Sequence, residues 1–185
     1  MAFAELHALS HYSFLRSAAA PEELVCRAKQ LGYSAIAITD ECSVGGVVKA
    51  YEEAKQRDIK LIIGSEFHIA DYGTFVVLAP TRDAYAELSQ KITEFRGRSK
   101  KGSYQANIED FFTGFSDCFL LWLPDFQQHQ LVAVGKKLCH VWHSRFWLLY
   151  ERHYQADDSE TFNAIVELNK ALKARVVCAG GVRMA

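Results

Sequence analysis

Disulfide and zinc-binding patterns are missing from this sequence. Its five cysteines are odd in number and widely spaced, and no two of them form a Cys-x-x-Cys pair: Cys26, Cys42, Cys118, Cys139 and Cys178. This spacing predicts reduced, mostly buried thiols, and it argues against a disulfide framework or a zinc knuckle. Proline is also scarce, with three residues in the chain, and no Pro-rich or Gly/Ser-rich linker interrupts it.

Long apolar runs and a strong charge imbalance are absent too. No segment approaches the roughly 18 apolar residues that a membrane span needs, and no basic segment followed by an apolar run opens the chain. The net charge is −1, so the overall charge gives no reason to expect binding to nucleic acid or to a membrane surface. These features predict a soluble, cytoplasmic protein with no membrane partner.

What is present is typical of one globular domain. The chain has 185 residues, half of them hydrophobic and 12% aromatic, which excludes a disordered segment. Strand-like and helix-like segments alternate along it. Strands are predicted at 4–9, 34–39, 61–69, 75–79, 118–123, 146–150 and 175–179, and helices at 21–31, 47–57, 82–95, 126–138 and 159–173.

The strands read as continuous apolar runs, which is the pattern of a parallel sheet covered by helices. An α/β fold follows, either a β/α barrel or a doubly wound sheet. We favour a distorted (β/α)7-type barrel, because ligand-type side chains end the first three strands and barrels carry their chemistry at that rim.

The candidate site comprises His7, Asp40 and Glu66, one residue from each of those strand ends. Imidazole and carboxylate suit zinc, manganese or iron, so the three side chains could hold a divalent metal. Asp40 has an alternative role as a turn cap, and His68 is predicted to be a histidine of the barrel interior. The basic segment RGRSKKGS at 96–103 is either a solvated loop or a contact for a phosphate backbone.

A resemblance becomes specific in the first 70 residues. The runs ELHALSHYSFL, PEELVCRAKQLGYSAIAITD and IKLIIGSE are similar to the start of a polymerase-and-histidinol-phosphatase (PHP) domain. More narrowly, they resemble the N-terminal domain of bacterial C-family DNA polymerases of the alpha-subunit type, within the error-prone branch. The similarity continues more weakly through FVVLA, KKGS and VVCAGGVRMA, and so covers nearly the whole chain.

The family's metal signature is incomplete here. Its opening His-x-His is kept at His7 but has Leu9 in the second place, and its Thr-Asp-His keeps Asp40 but has Glu41 in the last place. Glu66 matches the glutamate of the third motif.

The family's closing Asp-x-His reads Gly181-Val182-Arg183 in this chain. The resemblance therefore implies a vestigial metal site at His7, Asp40 and Glu66, with zinc or manganese bound weakly at most. It implies no catalytic and no cofactor-binding residue in this chain.

The resemblance also implies what surrounds the chain. Residues 1–185 are predicted to be the N-terminal fragment of a much longer Mg²⁺-dependent polymerase (a nucleotidyltransferase) used in DNA repair, damage-induced mutagenesis and translesion DNA synthesis. The expected partners are the rest of that chain, DNA through the parent enzyme, mutagenesis accessory proteins and a sliding clamp. The alternatives are an active metal-dependent phosphoesterase of the same superfamily and a non-catalytic protein-interaction module.

Overall fold

The computed structural model describes residues 3–127 and 130–185. Within them, strands and helices alternate in the order β1 (Ala4–Ala8), α1 (Pro21–Gln30), β2 (Ala35–Ile38), α2 (Val47–Arg57), β3 (Lys60–Ile69), β4 (Gly73–Ala79), α3 (Arg82–Gly97), α4 (Asp110–Thr113), β5 (Phe119–Pro124), α5 (Leu131–Trp142), β6 (Phe146–Glu151), α6 (Asp158–Leu172) and β7 (Arg175–Ala179).

The seven strands form one sheet in sequence order, from β1 to β7. The pairs β1–β2, β2–β3, β5–β6 and β6–β7 are parallel, and β4 runs antiparallel to both of its neighbours. Only residues 70–72 connect β3 to β4, which is too short for a parallel crossover, so these two strands form a hairpin.

The sheet curls until its two ends meet. Ala8 and Val182 form a parallel bridge, and the amide of Leu9 donates to the carbonyl of Val182 at 2.9 Å. The predicted α/β fold, a distorted barrel with mostly parallel strands, is confirmed.

Two sides of the curled sheet are buried in different ways. Its outer face packs against helices, with β1 and β2 under α1 and α2 and the later strands under α3, α4 and α5. The inner face is lined by small and aliphatic residues such as Ala37, Val76 and Leu149. Trp122, Phe111 and Phe146 are buried in the outer cluster.

Most predicted helices and strands lie within one or two residues of the observed ones. The helix expected at 126–138 begins only at Leu131, although residues 128 and 129 lie outside the described part of the chain. The single-turn helix α4 was not predicted. None of the helices in the described residues is long and apolar enough to cross a membrane.

The prediction for His68 was wrong, because this residue is exposed and not in the barrel interior. The cause is the length of β3, which pairs with β2 as far as Ile63 and bonds through Glu66 to the segment after β2, whereas its last residues, including His68, pair with β4. Glu66 therefore lies at the rim, and His68 lies one step beyond it.

Candidate functional site

A bulge in β1 places His7 at the centre of the rim. Glu5 pairs with Ile36 and Ala8 with Ile38, so β1 contains one residue more than β2 over this interval. The extra residue breaks the alternation of side chains and lets the strand turn one of them toward the rim. His7 is buried there, with 3% of its surface exposed.

Two carboxylates hold the imidazole of His7 from opposite sides. Its Nε2 lies 2.7 Å from Oε2 of Glu66, and its Nδ1 is hydrogen-bonded to Oε1 of Glu151. Burial alone would lower the pKa of His7, but the hydrogen bonds to Glu151 and Glu66 outweigh it and raise that pKa to about 9. Burial acts to raise the pKa of Glu151, yet His7 reverses the effect and holds it below its usual range. His7 is therefore an imidazolium at neutral pH.

Arg16 supplies a second cation to the same rim. The loop after β1 carries it, and its Nη1 lies 2.7 Å from Oε2 of Glu41. Its Nη2 lies 3.0 Å from Oε1 of Glu66, an ion-pair contact without the alignment of a hydrogen bond. The hydroxyl of Tyr104 donates to the other oxygen of Glu41 at 3.0 Å. Two protein cations thus serve three rim carboxylates, those of Glu41, Glu66 and Glu151.

Asp40 lies at the same end of the sheet but bonds elsewhere. Its carboxylate accepts from the amide and hydroxyl of Ser10 and from the hydroxyl of Ser13, each at 2.7 Å. These bonds fix the loop after β1, which carries Arg16. The sequence-predicted trio is therefore divided, because His7 and Glu66 contact each other while Asp40 anchors the loop.

Glu5 and two glycines lie where β1 meets the segment that follows β7. Oε1 of Glu5 accepts from the amides of His7 at 2.9 Å and Gly180 at 3.0 Å, and burial raises the pKa of Glu5 despite those bonds. Gly181 has φ +60° and packs against Glu151 so closely that a Cβ there would lie 2.8 Å from Cδ of Glu151. A side chain at the position where the family pattern has an aspartate would thus have to displace the carboxylate of Glu151.

Sequence reasoning missed Glu151 and Arg16. Glu151 directly follows the apolar run FWLLY, so the rule that identified Asp40 and Glu66 at strand ends would also have found it. His153, whose Nε2 lies 3.2 Å from Oε2 of Glu151, follows two residues later. No such signal identifies Arg16, because arginine does not ligate metal ions and this residue lies in a loop and not at a strand end. Arg183, which stands in the last place of the closing motif, is exposed.

The rim does not fit a metal ion as it stands. Both ring nitrogens of His7 are hydrogen-bonded, and both oxygens of Glu41 and of Glu66 face donors or cations of the protein. In residues 3–127 and 130–185, no group of three or more His, Cys, Asp or Glu side chains is placed to hold a metal. That zinc or manganese binds weakly at His7, Asp40 and Glu66 stays a prediction.

A cleft of about 470 Å³ opens beside Glu151, between the ends of β5 and β6. Acidic residues dominate its polar lining: Asp125, Glu151, Asp157, Asp158 and Glu160. Without a bound cation, such a lining repels the phosphate group of a phosphoester.

Comparison with known proteins agrees with this architecture. A sequence profile of the PHP domain matches residues 5–175. The chain is 72% identical over 183 residues to an error-prone DNA polymerase of Idiomarina loihiensis, and 39% identical over 180 residues to one of Saccharophagus degradans. These alignments cover 99% and 97% of this chain, which spans 18% of the length of each relative.

Two solved structures share the fold at low identity. An amidohydrolase from Chromobacterium violaceum has a TM-score of 0.67 at 15% identity, with 99% of this chain and 88% of that one covered. A protein assigned as a metal-dependent phosphoesterase from Bifidobacterium adolescentis has a TM-score of 0.63 at 12% identity, with 98% and 88% covered. At these identities the likeness shows the fold alone.

Proposed function

This chain belongs to the PHP domain family, and we propose that it is the PHP domain of an error-prone DNA polymerase. The observation that carries the proposal is the 72% identity over 183 residues to such a polymerase from Idiomarina loihiensis. Because the chain spans 18% of that relative, the residues that extend a primer would lie elsewhere in the polymerase.

Within that polymerase, we propose that the domain is structural and catalytically silent. Metal-assisted phosphoester hydrolysis needs open coordination positions on bound ions. The ion pairs of His7, Arg16, Glu41, Glu66 and Glu151 instead use the polar atoms that would coordinate such ions. This saturation supports a packing role, with any zinc or manganese bound weakly.

The parent enzyme would be a Mg²⁺-dependent, DNA-directed polymerase of the cytoplasm, acting in damage-induced mutagenesis and translesion DNA synthesis. Its partners would be DNA, mutagenesis accessory proteins and a sliding clamp. The domain's own contact would be with the rest of the polymerase chain.

The test is primer extension by a polymerase that carries this domain, on an undamaged template and on one with an abasic site. We expect extension on both templates with Mg²⁺, and more bypass of the lesion when accessory mutagenesis proteins are added. A domain-bearing polymerase that copies undamaged DNA but never passes the lesion would contradict the translesion part.

The phosphoesterase alternative is tested on the 185-residue chain itself, with p-nitrophenyl phosphate and a primed DNA substrate in Mn²⁺. We expect neither phosphate release nor removal of a 3′ end. Hydrolysis that depends on Mn²⁺ and is lost in His7→Gln would establish the phosphoesterase instead. Capture of purified accessory proteins by the isolated chain would favour the interaction module.

A further inference from the structure

Arg16 stands between the solvent and the buried part of the rim. Its side chain is 32% exposed, whereas that of Glu66 is 1% exposed and that of Glu41 is 25% exposed. The guanidinium touches an oxygen of each carboxylate, at 2.7 Å on Glu41 and 3.0 Å on Glu66. A single cationic group thus bridges two acids from neighbouring strand ends.

The guanidinium of Arg16 offsets the electrostatic repulsion between the carboxylates of Glu41 and Glu66. Glu41 and Glu66 form a parallel β-bridge, so their backbones are held side by side whatever their charges. Two carboxylates confined in a partly desolvated rim repel each other unless a cation lies between them. His7 serves Glu66 and Glu151 but has no contact with Glu41, so Arg16 is the cation shared by Glu41 and Glu66.

We infer that Arg16 is a built-in replacement for a metal ion: a fixed cation that joins Glu41 to Glu66 and closes the rim against divalent cations. This role does not require that the chain be part of a polymerase. It explains how a PHP rim that keeps several acidic side chains stays folded without metal.

The position of Arg16 is itself fixed by the rest of the loop. Ser10 and Ser13 bind the carboxylate of Asp40, and the Ser13 hydroxyl also accepts from the amide of Glu41 at 2.9 Å. Hydrogen bonds therefore hold the loop that carries Arg16 on both sides of Tyr12. A guanidinium offers several donors in one plane, which suits two carboxylates at different angles.

The test is thermal unfolding of the 185-residue chain as wild type, Arg16→Gln and Arg57→Gln, each with EDTA and with about 1 mM Mn²⁺. Arg57 is the matched control, because it pairs with Glu53 on the surface of α2, far along the chain from the rim. We expect Arg16→Gln to lower the Tm by about 4 °C or more in EDTA, and Arg57→Gln by less than about 1 °C.

The change in Tm on adding Mn²⁺ distinguishes a cation bridge from a packing role of Arg16. Mn²⁺ prefers carboxylate oxygens, so it should recover about half or more of the Tm lost in Arg16→Gln, and it should leave the wild type unchanged. A Tm that is unchanged by Arg16→Gln would overturn the inference. So would a loss that Mn²⁺ does not recover, or a wild type that Mn²⁺ stabilises.

A double variant covers the case in which Arg16→Gln does not fold. Arg16→Gln combined with Glu41→Gln removes the unbalanced charge together with the cation, and glutamine still offers an oxygen to Tyr104. We expect this pair to fold with a Tm near that of the wild type and no response to Mn²⁺. A double variant as unstable as the single one would show that Arg16 acts through packing, and the inference would fail.

Discussion

Nε2 of His7 lies 2.7 Å from Oε2 of Glu66, a contact between residues 59 positions apart that joins the first strand to the third at the rim. Because His7 also pairs with Glu151, its pKa is raised from 6.5 to about 9. A histidine whose pKa is higher in the folded state contributes stability that is fully present below its unfolded pKa and is lost as the pH rises through the folded one.

We therefore expect His7→Gln to lower the free energy of unfolding by about 3 kcal/mol near neutral pH, since it leaves two buried carboxylates facing each other. The difference between wild type and variant should shrink as the pH rises through about 9. Chemical denaturation across this range measures it, and ¹⁵N NMR of the imidazole reports its charge directly. A neutral imidazole at neutral pH would contradict the prediction.

Glu5 should have a pH dependence of the same sign that begins at lower pH, because the ordinary pKa of its carboxyl group is 4.5. Burial raises its pKa above 4.5, so ionising it costs more in the folded protein than in the unfolded chain. The stability contributed by this group falls as the pH rises from its unfolded pKa toward its folded one. Glu5→Gln keeps an oxygen for the amides of His7 and Gly180, and should gain stability relative to wild type as the pH rises above 4.5. Glu167→Gln, at an exposed pair with Lys170 on α6, is the control for loss of a carboxylate at the surface.

Gly181 should tolerate no side chain. We expect Gly181→Ala to cost about 2 kcal/mol or more, because an added Cβ meets Glu151 and His153 and because φ is +60°. Gly32→Ala is the control, since Gly32 has φ +74° but no atom within 4 Å of a Cβ. Its loss should be near 1 kcal/mol, the cost of the backbone conformation alone. Equal losses at the two glycines would mean that the crowding around Gly181 relaxes freely.

The cysteine thiols should react at rates that follow their exposure to solvent. Burial raises the pKa of Cys42 to about 11 and that of Cys118 to about 12, whereas Cys178 is exposed. A disulfide reagent at about pH 8 should modify Cys178 first, and Cys42 and Cys118 only after unfolding, because the thiolate is the reactive form. Cys178→Ser should remove the fast phase. A fast phase that persists in this variant would contradict the assignment.

Local sequence was enough to predict most of this fold. The buried run of β2, Ala35–Ile38, and the helix Val47–Arg57 were recognisable because apolar periodicity and flanking polar residues agree there. The one-turn helix α4, Asp110–Thr113, was not predicted, because four residues are too few to show a helical pattern of apolar side chains. The sequence also predicted the start of α5 too early, because no capping side chain marks its first turn at Leu131.

The candidate site was only partly predictable. Strand ends identify polar side chains that reach the rim, which is why His7 and Glu66 were predicted there. The same rule applies to Glu151, which is the last residue of β6. The position of Arg16 depends on how the Ser10–Ser13 turn binds Asp40, and those contacts are tertiary. The bonding of Asp40 to the loop was hidden for the same reason.

The close approach of Gly181 to Glu151 limits which side chains position 181 could accept. An aspartate placed at 181 would bring a side chain into the space that the carboxylate of Glu151 occupies, on a backbone with φ +60°. The carboxylate of Glu151 would have to move first, and its movement would leave His7 with one partner. A carboxylate ligand at position 181 would therefore require coupled changes at Gly181 and at Glu151, and either change alone would weaken the paired rim that this chain now has.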